Sequence, residues 1–343
     1  MTIQEFLTDI SQTGGLSGYE AEVAARIREA LAPCCDETAV DALGNVIACR
    51  RGTGSGSIMF CAHMDEVGMM VSTVEDDGKV RLSPVGGIDP RAFLCQRVVI
   101  HGREDVTGYI AMTAPEGETL PSEKAPKVGD LYVDTGLSAG QLRQVIRPGH
   151  PVTALREVRA LQGDRLTGKA FDDRAGVAAL LACARNLARC THDYTVYFVA
   201  SVQEEVGCRG AGVAARAIHP DIGVAVDVGF GKNPDFPQVE VELGKGPIIA
   251  VGPNCNYQLV KELRSAAGRN GVPWQTMTLP VPRGSDADPM QIQQDGVYTA
   301  LVSIPLLYMH TPAEVIALGD VEKTGRLLSS LVMELNGREF IGF

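Results

Sequence analysis

The sequence is poor in the features that mark several large classes of protein. Aromatic residues make up 5% of the 343 residues, with a single tryptophan, so surfaces for stacking sugar rings are scarce. Lysine and arginine number 31 against 42 aspartate and glutamate, which gives a net charge of −11. A chain with this excess of negative charge is a poor partner for nucleic acid or an anionic membrane, and we expect neither as a ligand.

Long apolar runs and cysteine motifs are also missing. No run approaches the roughly 18 apolar residues that a transmembrane helix needs, and the start, MTIQEFLTDISQTGG, has no basic segment followed by an apolar one. The nine cysteines are an odd number without a CxxC motif, which disfavours a disulfide framework and a thiolate zinc site. We therefore expect a cytoplasmic protein with reduced thiols and no secretory signal.

What the sequence does contain is an alternation of apolar strands with amphipathic helices. This alternation is typical of an α/β sheet that is covered by helices on both faces. The predicted helices are 3–11, 19–31, 174–189 and 321–335, the last with Asp320 as its N-cap. The predicted strands of this part of the chain are 44–49, 58–61, 195–202, 222–226 and 299–304.

Residues 70–163 have a different pattern. Their short β-prone pieces are separated by glycine, proline and charged turns, and no helix longer than 138–145 is predicted. Several short strands at close spacing predict a small β-barrel or sandwich. We therefore predict a β-domain at 70–163, inserted into a catalytic α/β domain that consists of 1–69 and 164–343.

Polar side chains follow the apolar strands of the outer domain at the points where these strands end. They are His63 and Asp65 after 58–61, Glu204 and Glu205 after 195–202, Asp227 after 222–226, and His310 after 299–304. Asp172 and Asp173 stand just before the helix at 174–189. Ligands of open α/β sheets bind beyond the carboxyl ends of the strands, so these segments are expected to meet at one edge.

Each of these residues has an ordinary structural explanation when it is taken alone. A histidine after a strand is usually a loop residue, two glutamates there form a solvated turn, and two aspartates before a helix suit its N-terminus. Asp227 is harder to explain, because a carboxylate directly after a buried strand is costly without a partner. The joint placement of two histidines and several acids favours a metal site over these separate explanations.

The chemistry of this set agrees with a metal site. Imidazole and carboxylate ligands without thiolates suit Zn²⁺, Co²⁺ or Mn²⁺. Two metal ions about 3.5–4 Å apart need a bridging carboxylate and further histidine and carboxylate ligands on each side. The set supplies these with one acid to spare, and a spare acid suits the role of general base. Asp65, two residues after His63, suits the role of accepting the other ring N–H and fixing the tautomer.

Five motifs, in order along the chain, resemble one known family. They are His63-Met-Asp-Glu-Val-Gly, Ala170-Phe-Asp-Asp-Arg-Ala-Gly, Gln203-Glu-Glu-Val-Gly, Ala225-Val-Asp-Val-Gly and Met309-His-Thr-Pro. On these motifs the chain resembles, over essentially its whole length, the tetrahedral (TET-type) dinuclear metallo-aminopeptidases, also labelled glutamyl aminopeptidase, deblocking aminopeptidase or endoglucanase-like. The resemblance implies a dinuclear-metallopeptidase (phosphorylase/hydrolase-like) three-layer α/β/α domain, with a small PDZ-like β-barrel insert for oligomerisation. It also implies self-association as a tetrahedral dodecamer.

Carried over residue by residue, the resemblance also implies the site. It makes the following residues ligands of two divalent metal ions per subunit, zinc or cobalt with manganese as an alternative: His63, Asp172, Glu205, Asp227 and His310. The residues alone leave open which of Asp172 and Asp173 bridges, and the motif register selects Asp172. Glu204 becomes the general base, Asp65 the orienting carboxylate, and a water between the ions the nucleophile. The implied activity is removal of the N-terminal residue from peptides with a free N-terminus.

A glycosidase and a non-catalytic, metal-braced scaffold are the two alternatives to a peptidase. A glycosidase would use two carboxylates flanking a glycosidic bond at ~5–9 Å, which the adjacent Glu204 and Glu205 cannot readily do. A non-catalytic scaffold braced by metal would more typically be closed by cysteine, and it leaves the extra glutamate without a role. Peptide hydrolysis is therefore the preferred hypothesis.

The identity of the preferred N-terminal residue is left open. A pocket for an acidic residue would need basic groups, and Arg209, Lys232 and Arg283 lie in candidate loops, although a solvated surface charge is the better explanation for any one of them. The segment Pro282-Arg-Gly-Ser-Asp-Ala, which contains Ser285 and Asp286, resembles a substrate-lining segment of the family. An ordinary surface turn explains it equally well.

Overall fold

The computed structural model of the chain describes residues 1–114, 119, 124–234, 237–281, 284–337 and 339–341. They form a large mixed sheet with helices on both faces and a closed six-stranded antiparallel barrel. The prediction of an α/β fold with an inserted small β-barrel is thereby confirmed. No helix in these ranges has the length and apolar composition of a membrane span.

The described strands and helices alternate along most of the chain. In chain order the strands are β1 (Glu37–Val40), β2 (Val46–Arg50), β3 (Ser57–His63), β4 (Gly68–Val74), β5 (Val80–Val85), β6 (Arg97–His101), β7 (Asp105–Met112), β8 (Leu131–Asp134), β9 (Pro151–Ala154), β10 (Arg159–Ala160), β11 (Arg165–Gly168), β12 (Thr195–Ser201), β13 (Ile222–Phe230), β14 (Ile248–Val251), β15 (Gln275–Thr278), β16 (Tyr298–Leu307) and β17 (Glu314–Ala317). The helices are α1 (Ile3–Gln12), α2 (Ala21–Leu31), α3 (Pro90–Phe93), α4 (Ala139–Val145), α5 (Phe171–Leu187), α6 (Arg209–Ile218), α7 (Tyr257–Arg269), α8 (Ala287–Gln291) and α9 (Leu318–Glu334).

The centre of the large sheet is parallel and buried on both faces. Strands β12, β3, β13 and β16 run parallel in that order, with β2 and β17 antiparallel at either side. In β3, Ile58 and Phe60 face the core formed with α1, α2, α5, α7 and α9. Met59 and Cys61 face a smaller core with α6 and α8. Because successive strand residues point to opposite faces, this apolar run makes the sheet the middle of three layers.

The barrel is formed by the chain between β3 and β10. Its strands close in the order β4, β5, β8, β7, β6, β9, all in antiparallel pairs. Its interior has an apolar core of its own, which includes Met69, Val71, Val80, Leu82, Val98, Ile100, Ile110, Val133 and Val152. After the barrel, β10 pairs with β11, and β11 joins the large sheet through β17.

Helix α5 is joined to the rest of the large domain by a buried arginine. Arg174 is fully buried, and its guanidinium donates to the backbone carbonyls of Met64, Ile10 and Thr13. Its Nη2 also lies 3.4 Å from a carboxylate oxygen of Glu66. The arginine therefore connects the start of α5 with the end of α1 and with the turn after β3.

Two predictions about element ends were wrong. Helix α9 begins at Leu318, so Asp320 is not its N-cap. The buried Asp320 carboxylate accepts hydrogen bonds from the N–H groups of Gly244 and Gly246 at 2.6 and 2.8 Å, and these tertiary donors replace the helix end as its partner. Strand β13 continues to Phe230, so Asp227 lies inside a strand instead of directly after one.

We expect Arg174→Met to destabilise the protein by about 3–5 kcal/mol, because it removes a buried cation and leaves backbone carbonyls without donors. The free energy of unfolding, measured by urea denaturation, checks this. Arg189→Met is the matched control, because Arg189 is exposed and its loss should change stability by less than about 0.5 kcal/mol. Equal unfolding midpoints for the two variants would contradict the role given to Arg174.

Candidate metal centre

The seven residues predicted from the sequence lie together at the carboxyl edge of the parallel strands. His63 ends β3, Asp65 is in the turn that follows, Asp172 is at the start of α5, Glu204 and Glu205 follow β12, Asp227 is within β13, and His310 follows β16. Five separate segments therefore meet at one place. The sheet topology accounts for this, since parallel strands present the same end to the same edge.

Asp172 lies between the two histidines. Its Oδ1 is 3.0 Å from Nε2 of His63, and its Oδ2 is 3.3 Å from Nε2 of His310. One carboxylate thus presents one oxygen to each imidazole. This is the arrangement that a carboxylate bridging two cations requires.

The other acids lie around the two histidines, and Glu205 is near both. On one side, Glu204 Oε2 and Asp227 Oδ1 lie 3.9 and 4.0 Å from Nε2 of His63. On the other side, Glu205 Oε1 lies 3.2 Å from Nε2 of His310. Donor atoms of four sets lie within 4.8 Å of one another: His63 with Asp173 and Asp227, His63 with Glu204 and Glu205, His310 with Asp172 and Glu205, and Glu204 with Cys208 and Asp286. The cluster therefore offers two adjacent groups of nitrogen and oxygen donors.

The donor atoms fit divalent cations. Glu205 Oε1 is buried and, although it is close to His310, it makes no hydrogen bond of acceptable geometry. Asp173 Oδ2 is buried without a partner as well. Buried polar atoms without partners are costly, and a cation would satisfy them. Imidazole and carboxylate donors in this number suit Zn²⁺, Co²⁺ or Mn²⁺.

The carboxylate of Asp65 holds two of the segments together. It is fully buried and accepts hydrogen bonds from the N–H groups of Glu204 and Glu205, at 3.0 and 3.2 Å, and from the Ser17 hydroxyl at 2.7 Å. Its Oδ1 also lies 3.5 Å from Nδ1 of His63. Asp65 therefore holds the turn of the two glutamates and lies beside the imidazole of His63, whose Nδ1 makes no hydrogen bond.

The backbone around the site is strained. Eight non-glycine residues in the described part of the chain have a left-handed backbone, and five of them flank the cluster: Ala170, Gln203, Cys208, Tyr308 and His310. This conformation is uncommon outside glycine and costs on the order of 1–3 kcal/mol for each residue. Such strain persists where the surrounding contacts fix the turn, as they do here.

Two groups next to the site were missed by the sequence analysis. Glu314 accepts hydrogen bonds from the N–H groups of Phe171, Asp172 and His310, which fixes the start of α5 against the turn after β16. Its signal was present, because it is the one acid in the buried strand β17. The second group is the carbonyl of Gly87 in the barrel, which accepts the Nδ1–H of His310 at 2.6 Å. A backbone carbonyl has no sequence signal.

Three more side chains near the cluster have roles that the motifs did not indicate. The Cys208 thiol donates to Glu204 Oε1 at 3.2 Å, which leaves the other oxygen facing His63. Asp286 is buried and accepts a hydrogen bond from the Ser201 hydroxyl. Glu66, the last residue of His-Met-Asp-Glu, has both oxygens 2.6 Å from Nζ of the buried Lys169.

Burial and close approach shift the titration of the cluster. Burial raises the pKa of Glu204 to about 9 and that of Asp227 to about 8, and neighbouring acids add to both shifts. Burial opposes the charge on His310, but its contacts with Asp172 and Glu205 outweigh this and raise its pKa to about 11. Burial also opposes the charge on Asp172, but the two histidines hold the pKa of this carboxyl well below its usual range.

Known proteins resemble this chain in both sequence and fold. A family model described as M42 glutamyl aminopeptidase matches residues 44–327. The lysyl aminopeptidase of Pyrococcus furiosus is 35% identical over 345 residues, covering 98% of each chain. A TET aminopeptidase from a marine sediment Thaumarchaeota archaeon superposes with a TM-score of 0.92 at 29% identity, covering 98% of each chain. The TET1 peptidase of Pyrococcus horikoshii, described as assembling into a tetrahedron or a large octahedral shell, has a TM-score of 0.83 at 30% identity, covering 96% of this chain and 99% of that one.

We expect the metal-free protein to become less stable as the pH rises from about 5 to about 8. The pKa values of Glu204, Asp227 and His310 are all raised above their ordinary values of 4.5, 3.8 and 6.5. A group whose pKa is higher in the folded protein than in the unfolded chain contributes its full stability at a pH below the unfolded pKa. That contribution is lost as the pH rises through the folded pKa. Unfolding of chelator-treated protein across this range checks the sign. Added Zn²⁺ or Mn²⁺ should remove the decline, and a level or rising stability without metal would contradict it.

Proposed function

The chain belongs to the M42 glutamyl aminopeptidase family, and from this premise we propose that it is a dinuclear metallo-aminopeptidase that removes the N-terminal residue from peptides. Hydrolysis of peptides is the activity of the family. The observation that carries the finer proposal is the position of Asp172, with one carboxylate oxygen toward each histidine.

Five residues of the cluster are the proposed metal ligands. Asp172 would bridge two divalent ions, zinc or cobalt with manganese as an alternative, and His63 and Asp227 on one side and Glu205 and His310 on the other would be the terminal ligands. When bound, the two cations supply Lewis acidity, which polarises the scissile carbonyl and lowers the pKa of water toward ~7. Asp65 and the Gly87 carbonyl hold the two imidazoles in place through their other ring nitrogens.

Glu204 is the proposed general base. Its Oε2 lies 3.9 Å from Nε2 of His63, about as far away as Asp227 Oδ1, but its other oxygen accepts a hydrogen bond from the Cys208 thiol, and the motif register makes Asp227 the ligand. We therefore place its Oε2 beside the attacking water. There it takes the proton of the attacking water and returns it to the leaving amine. The surplus of carboxylates around the cluster also suits the positively charged α-amine of a free N-terminus.

The two other functions fit the geometry less well. An oxygen of Glu204 and one of Glu205 lie within 4.8 Å of each other beside His63, too close to flank a glycosidic bond at ~5–9 Å. A purely structural metal site would give no role to the buried Glu204, whose Oε2 faces the cluster. Both observations favour the peptidase.

Substitution of the two adjacent glutamates tests the proposal. Glu204→Gln keeps the shape but cannot accept the proton, so it should retain bound metal and lose about 10²–10⁴-fold in kcat. Glu205→Gln removes a ligand charge, so it should lose metal affinity first, with activity partly restored by added metal. Metal content by mass spectrometry and hydrolysis of aminoacyl amides measure the two effects.

The matched control for these variants is Glu322→Gln, an exposed position on α9 that should behave as the unchanged protein. A metal-free Glu204→Gln beside a fully loaded Glu205→Gln would reverse the two roles. Unchanged activity in both variants would remove the cluster from the catalytic site.

We further propose that the chain self-associates as a tetrahedral dodecamer and that the inserted domain at 70–163 serves this assembly. Support comes from the shells described for the TET1 peptidase and from the barrel itself, which supplies none of the proposed ligands. Light scattering of the active protein should therefore give a mass many times the 36.5 kDa of one chain. An active species of 36.5 kDa would contradict the proposal.

A further inference from the structure

Two cavities adjoin the candidate metal centre. One has a volume of about 20 Å³ and lies on the side of Lys169 and Glu314. This is little more than the ~10–15 Å³ that a single water needs, so it cannot admit a side chain. The other has a volume of about 260 Å³ and is bounded by both histidines and by Glu204. Among the described residues, this larger cavity is the place where the first residue of a peptide fits.

The wall of the larger cavity away from the cluster is mainly apolar. Its apolar side chains there are Val228, Phe230, Met277, Leu279, Leu301 and Met309, and Ser285 and Ser303 are its two polar members among the described residues. The charged side chains that line it, within the described ranges, all belong to the metal cluster. Arg209 and Lys232, which the sequence offered as partners for an acidic residue, do not line it, and Arg283 lies outside the described residues.

Met277 forms the part of this wall that rests on the ligand-bearing strand. It lies on β15, where its neighbours Thr276 and Thr278 point to the exposed face. A Cβ at Gly229 would be 3.3 Å from its Cε, so the methionine tip covers the glycine two residues beyond Asp227. The side chain of residue 277 therefore sets how far the cavity extends beside the metal centre.

We infer that this cavity receives the side chain of the N-terminal residue and selects an apolar residue of leucine or methionine size, with Met277 as a specificity-determining residue. The inference rests on the proposed aminopeptidase function and adds the substrate class. Each methylene of the substrate that such an apolar wall buries raises kcat/KM by about 10–200-fold. It also disfavours a charged side chain, because none of the described residues that line it, outside the metal cluster, offers a partner for the charge.

A panel of aminoacyl p-nitroanilides with the metal-loaded oligomer tests the inference. The kcat/KM values for leucine and methionine should exceed that for alanine by at least about 10-fold, and those for glutamate and lysine by about 10²-fold or more. Faster cleavage of the glutamyl or lysyl substrate would overturn the inference but leave the aminopeptidase function intact. Cleavage of none of them, or equal cleavage of acetyl-leucyl p-nitroanilide, would overturn the proposed function and the inference with it.

A substitution at Met277 tests its role separately. Met277→Lys places a cation on the apolar wall, so the ratio of leucyl to glutamyl kcat/KM should fall by about 10²-fold while metal content stays the same. Thr278→Lys is the matched control, since it adds the same charge to the next residue on the exposed face and should leave the ratio unchanged. If both variants are folded and metal-loaded and their ratios are equal, Met277 does not determine specificity.

Discussion

Buried negative charge is the constraint on which the arrangement of this protein depends. Carboxylates from separate segments converge beside two histidines, and their mutual proximity in a buried place disfavours the charged form. Burial consequently raises the pKa values of Glu204 and Asp227, whereas Asp172 is held ionised by an imidazole at each oxygen. Divalent cations would remove this conflict, because a metal ion replaces the protons and supplies the missing charge. The same acids therefore destabilise the metal-free chain at neutral pH and equip it to hold metal.

Two further carboxylates position the cluster without facing its centre. Asp65 binds the backbone of the turn that carries Glu204 and Glu205, so the end of β3 and the end of β12 are joined. Glu314 binds the N–H groups of Asp172 and His310, which joins the start of α5 to the turn after β16. Each connection links segments that are far apart in the chain. The strained left-handed turns beside them are held by these contacts.

The inserted barrel is physically coupled to the site, although it provides none of the proposed ligands. The carbonyl of Gly87 fixes the tautomer and orientation of His310 by accepting its Nδ1–H. If the barrel serves assembly as proposed, packing between subunits would act on the position of His310 through this hydrogen bond. The larger cavity lies on the other strands of the sheet, where β13, β15 and β16 supply an apolar wall. Strand β13 belongs to both places, because it carries Asp227 in the cluster and Val228 and Phe230 in the wall.

The sequence by itself determined the α/β fold with its β insert and the set of residues that meet at the sheet edge. It did so because parallel apolar strands present their carboxyl ends together, and His63, Glu204 and His310 lie at or just beyond such ends. The residues alone left open Asp172 against Asp173, and the family motif was needed to select Asp172. Only the tertiary structure decided the partners. Glu314, the Gly87 carbonyl and Cys208 act through contacts between distant segments, and the expected N-cap Asp320 instead binds a loop more than seventy residues away in the chain. Such contacts depend on the relative placement of whole elements, which local sequence patterns do not encode.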